Sequence, residues 1–154
     1  MEFLIIKWVH ILSAFLLFGT GLGSAFYKYF TDRTEDVAAI AVVNRLVVRA
    51  DWLFTTPTII IQPITGFWMM HILNLSIEAP WLWVSLALYL IAGACWLPVV
   101  VLQIRMRNLA EKCAAAQQPL SSEYHRMART WLLLGIPAFA AMVAVVWLMV
   151  VKSI

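Results

Sequence analysis

Two ionisable residues, Lys7 and His10, interrupt an otherwise apolar stretch, FLIIKWVHILSAFLLFGTGLGSAFY, near the start of the chain. They are three residues apart, about one helical turn, so on a helix both look toward the same neighbour. Burying a charge below a bilayer surface costs roughly 2.5 to 3.5 kcal/mol on insertion scales, which makes the pair a functional-site hypothesis. A neutral imidazole can ligate a metal. A lysine one turn nearer the surface can reach outward and pair with a carboxylate. His71 is the second candidate ligand, closing the run DWLFTTPTIIIQPITGFWMMH. Within that run Gln62 falls at mid-depth, where it serves either an interhelical hydrogen bond or a bound polar group. Gly66 leaves room for a helix or a flat cofactor, and Ser85, in PWLWVSLALYL, is expected at the height of His10. Two histidines on adjacent helices with a glycine between them suit axial ligation of a haem b or related tetrapyrrole. The competing reading is a histidine that only hydrogen-bonds between helices. A copper reading of Met69, Met70 and His71 is weaker, because consecutive helical residues diverge by about 100° and cannot all face one ion.

These residues require helices that cross a membrane. Of 154 residues, 64% are hydrophobic, with a mean hydropathy of +0.88, which excludes an ordinary soluble fold. Four apolar runs, Phe3 to Gly23, Trp52 to Leu73, Trp81 to Leu102 and Thr130 to Val151, each approach the roughly 20 residues that span a bilayer as a helix. None alternates in polarity as a barrel strand does. The expected fold is all-α: an integral membrane four-helix up-and-down bundle forming one domain over residues 1–154. Nine of the eleven basic residues fall in two stretches, Lys28 to Arg49 and Arg105 to Arg129. The positive-inside rule makes both cytoplasmic and leaves both termini and the loop His71 to Pro80 on the outer, periplasmic side of a bacterial inner membrane. Met1 and Glu2 supply no basic leader region, so the first span is expected to remain in place. Trp8, Trp81, Trp83 and Trp147 are expected in an outer aromatic belt, Trp52 and Trp131 in an inner one, and Tyr27, Lys28 and Tyr29 as anchors at the inner interface.

Cytoplasmic helical extensions follow from the amphipathic TEDVAAIAVVNRLVVRADW, with Thr34 as its expected N-cap. Asp51 is expected either to pair with Arg49 or Arg129 or to anchor at the interface. Pro57 and Pro63 free the carbonyls of Leu53 and Ile59, with Thr55, Thr56 and Gln62 available to take up freed groups. Gly19 and Gly23 form a G-x-x-x-G notch. Cys95 and Cys113 differ too much in depth for a disulfide. No G-x-S-x-G, Walker or H-E-x-x-H pattern is present, and no feature indicates nucleic-acid binding.

Through KWVHILSAFLLFG, DWLFTTPTIIIQPITGFWMM and PWLWVSLALYLIAGACWLPVVVLQIRMR the chain resembles a bacterial family of predicted integral membrane proteins, a domain of unknown function. More distantly it is similar to HemJ-type protoporphyrinogen oxidases and CopD-like copper-resistance membrane domains. The features shared with HemJ are Lys7 and His10, then Thr56, Pro57, Gly66 and Trp68, then Pro137. That resemblance implies haem ligation by His10. It departs at Ser85, where HemJ-type enzymes have lysine, near Trp96, where they have histidine, and at Leu134 to Ile136, which replace an N-E-x motif. The expected function is therefore haem binding with membrane electron transfer. Porphyrinogen oxidation, or a structural or copper-handling role without haem, is the alternative. Expected partners are the lipid bilayer, quinone or a periplasmic redox protein, and a second copy of the chain in a homodimer.

Overall fold

A computed structural model describes residues 1–151, all of whose regular structure is helical. Helix α1 spans Glu2–Asp32, α2 Val37–Ala50, α3 Thr56–Ile72, α4 Pro80–Ala115 and α5 Ser122–Val151; a π-helical turn, Asp51–Thr55, joins α2 to α3. Helices α1, α4 and α5 are each long and apolar enough to cross a membrane. The five-residue turn and the 17-residue α3 continue without a break and together reach about 30 Å. Helix α1 packs on α3, and α4 on α5, so the molecule is two antiparallel helix pairs, with α2 laid across α1 and α4 at one end.

Each break has a local cause. Asp36, not Thr34, caps α2: its Oδ1 accepts from the amides of Ala38 and Ala39 at 3.0 and 3.1 Å. The Asp36 carboxylate satisfies two of the unpaired first-turn donors at once. Thr34 Oγ1 instead donates to the Thr31 carbonyl at 2.8 Å. Asn74 and Gln117 take left-handed conformations (φ 49° and 51°) just past α3 and α4. They permit the chain-reversing bonds Leu75 N to Met70 O and Gln118 N to Cys113 O, both 3.0 Å. The π-helical turn ends two residues before Pro57, where the proline lacks the amide that an α-helical ladder needs.

The closely packed part of the bundle is the end that carries the basic residues. Ile40 and Ala41 of α2, Val99, Met106 and Ala110 of α4, and Tyr124 and Trp131 of α5 form a buried cluster there. At its edge lies a polar knot. Tyr124 Oη accepts from Lys28 Nζ at 2.9 Å and Asn44 Nδ2 at 2.7 Å, and donates to Asp32 Oδ1 at 2.7 Å. Lys28 is 1% exposed, pairs with Asp32 at 2.6 Å, and stands 5.5 Å from the Trp131 ring centroid. Lys28 and Trp131 are therefore interior residues and not interfacial anchors. A lysine so enclosed is tolerated because its ammonium donates to both an anion and a phenol, which offsets its desolvation. Asp51 neither pairs with Arg49 or Arg129 nor stands exposed as an interfacial anchor. It is buried and accepts from Trp96 Nε1 at 3.4 Å, and no ion pair to it exists among the described residues.

Candidate functional site

At the opposite end the two helix pairs separate around a cavity of about 780 Å³. Lys7 and His10 from α1, Gln62 and Gly66 from α3, and Ser85 from α4 all lie on its wall. The cavity therefore brings five sequence-predicted residues together. Most of the remaining wall is apolar, including Phe15, Leu86 and Val146.

His10 is held from behind. Its Nδ1 lies 2.7 Å from Thr65 Oγ1, and the Thr65 hydroxyl lies 2.7 Å from the Ile61 carbonyl and 3.2 Å from that of Gln62. Thr65 has one proton, and two carbonyls behind it to receive that proton, so toward the ring it is an acceptor. His10 then carries its proton on Nδ1. Its Nε2 keeps a free lone pair, with no hydrogen-bond partner for that atom among the described residues. The same logic orients metal-ligating histidines in general: the bond at one nitrogen sets the tautomer and aims the other.

Gln62 bridges the two helices from one turn deeper. Its Nε2 donates to the His10 carbonyl at 2.8 Å and to Ser13 Oγ at 2.6 Å. The glutamine thus ties α3 to α1 beside the histidine. Gly66 faces the imidazole: a Cβ there would stand 3.6 Å from His10 Cε1, so any larger side chain would crowd the ring. Ser85 is 5% exposed, and its buried Oγ has no hydrogen-bond partner. Lys7 is exposed at the cavity rim, 6.0 Å from the Phe3 ring centroid, with no carboxylate paired to it among the described residues.

His71 does not join this group. It is exposed near the end of α3 and absent from the cavity wall. It follows Gln62 by nine residues, about 180° around the helix at 100° per residue. The face that presents Gln62 to α1 therefore turns His71 away. Met69 and Met70 do reach the wall. Among the described residues, no group of three or more His, Cys, Asp or Glu side chains could hold a metal ion.

Three wall residues able to donate, accept or ligate were not singled out from sequence. Tyr89 of α4 donates its hydroxyl to the Ile59 carbonyl, the acceptor freed by Pro63. Met142 and Met149 of α5 face the cavity from the side opposite α1 and α3. The proline itself was the available clue to Tyr89, since a freed carbonyl in a membrane requires a donor and Tyr89 is a hydroxyl within the facing span.

A family described as predicted integral membrane protein (DUF2269) matches residues 4–153 of the chain. No curated protein and no solved structure matches it.

Proposed function

The chain belongs to this family of integral membrane proteins, and from that premise we propose that it binds a haem b or related tetrapyrrole in the open half of the bundle and serves membrane electron transfer. The single observation that supports this most is the His10 imidazole, with Nδ1 engaged by Thr65 and Nε2 free beside a cavity of about 780 Å³. Cofactor pockets of about 300 to 1,000 Å³ with mostly apolar linings are typical, and this one is of that kind. Nε2 of His10 would hold the group, Gly66 would leave space beside the imidazole, and Lys7 at the rim would pair with a carboxylate of the group. Bound there, the group would supply one-electron chemistry. The wall would exclude water and hold the ligand ring in one orientation. Met142 and Met149 offer thioethers on the opposite wall, a ligand type that raises the potential of haem iron when paired with histidine. The basic end would face the cytoplasm of a bacterial inner membrane and the cavity the outer side, by the excess of Lys and Arg at that end.

Absorption spectroscopy of the detergent-purified chain, supplied with haem during expression, tests the proposal. The expected result is a Soret band in the wild type that is absent from His10→Ala at equal yield and helicity. A colourless wild-type preparation, or a band unchanged in His10→Ala, overturns it.

A further inference from the structure

A second cavity of about 440 Å³ lies deeper in the same cleft, toward the basic end. Leu17, Phe18, Tyr89 and Met142 belong to both cavities and form the partition between them. Its polar groups are distinct from those around His10. Asp51, a buried carboxylate without a cation, lines it together with Trp96, whose indole donates to Asp51. Gln103 also lines it. That side chain is 5% exposed, and its amide makes no hydrogen bond among the described residues. Trp131 Nε1 is buried without a partner as well. Buried polar groups are paired in the large majority of cases, so the Gln103 amide and the Trp131 indole, both without partners on one cavity wall beside a carboxylate without a cation, describe what is absent from it.

The missing partner can be characterised from both ends. Asp51 accepts hydrogen bonds, and the Gln103 amide both donates and accepts. Trp96, which holds Asp51, and Gln103 are seven residues apart on one face of α4, about 10 Å in rise. An aromatic ring bearing two oxygens para to one another, with a hydrogen bond of about 2.8 Å at each end, spans such a distance. The flat walls contributed by Trp96, Trp131 and Phe18 suit a ring. The cavity also opens sideways: Leu22 of α1 and Ile136 of α5 line it and are each 59% exposed on the bundle surface. In a membrane that opening faces acyl chains, so the ligand arrives from the lipid.

We propose that this inner cavity binds the headgroup of a lipid-soluble hydroquinone, one hydroxyl donating to Asp51 and the other oxygen meeting the Gln103 amide. The oxidised quinone offers only acceptors and sets a carbonyl against the carboxylate, so the reduced form binds more tightly. No residue of the His10 group takes part, and the site is independent of what fills the outer cavity.

The test is isothermal titration of the detergent-purified full chain with a short-chain ubiquinol, kept reduced under anaerobic conditions, and with the matching ubiquinone. The wild type should bind the reduced form about tenfold more tightly than the oxidised form, the size of effect a hydrogen bond to a charged group produces. Asp51→Asn should abolish that preference, and Gln103→Leu should weaken the quinol about tenfold. His10→Ala should leave both affinities unchanged. Should Asp51→Asn fail to fold, the wild-type preference and Gln103→Leu still decide. Absence of binding, equal affinity for the two redox forms, or an equal loss in His10→Ala overturns the proposal, the last by placing the ligand in the outer cavity.

Discussion

The Nδ1 atom of His10 and the Oγ1 atom of Thr65, 55 residues apart in the chain, approach to 2.7 Å across the contact of α1 with α3. The threonine proton is directed at carbonyls of its own helix, so the pair has one sense: imidazole to hydroxyl. A residue with no reactive group of its own thereby fixes which nitrogen of the histidine faces the cavity.

Thr65→Val keeps the shape of the contact and removes the acceptor. The ring loses its tautomeric bias, and affinity for haem should fall about 10- to 100-fold, as for other partners behind a ligating histidine. Titration of the apoprotein with haem, followed at the Soret maximum, measures this. Thr65→Ser should restore most of the affinity.

His71→Ala should leave the visible spectrum and the haem affinity of the wild type unchanged, because its side chain is directed away from the cavity wall. Met149→Leu and Met142→Leu, on the wall itself, are the variants in which a ligand-sensitive change of the spectrum is expected.

Tyr124→Phe removes a hydroxyl that serves Lys28, Asn44 and Asp32 together. Leaving buried donors short of a partner costs about 1 to 3 kcal/mol for each group, so a loss of at least about 2 kcal/mol is expected. Arg45→Ala breaks an ion pair with Glu111 at 2.8 Å whose side chains are 48% and 37% exposed, and should cost less than about 1 kcal/mol. Thermal unfolding of the two variants in the same detergent compares the interior and surface interactions directly.

Tyr89→Phe leaves the Ile59 carbonyl without its donor from α4. A loss of about 1 to 2 kcal/mol is expected, since the carbonyl lies beside Pro63 in an apolar setting where water does not replace the phenol. The same change should alter ligand affinity in both cavities, because Tyr89 is part of the partition between them. Unfolding and the two ligand titrations, made on one preparation, separate these effects.

Much of the molecule was legible in linear order because the properties concerned are local. Apolar run lengths located the spans, the prolines marked where carbonyls would be freed, and helical spacing placed Lys7 beside His10. Ser85, expected at the height of His10, lines one cavity with it, as does Gly66. The boundary of α2 was misplaced by two residues because Thr34 and Asp36 are both good capping residues, and only the backbone path selects one.

What the linear order left open was rotation about each helix axis. Rotation carried His71 away from the cavity, drew Lys28 and Trp131 into the interior, and brought Thr65 and Tyr89 to partners on other helices. Rise per residue is a property of a single helix and follows from residue number alone. The direction a side chain faces in the bundle depends on which neighbouring surfaces pack together, so it exists only once the helices have met.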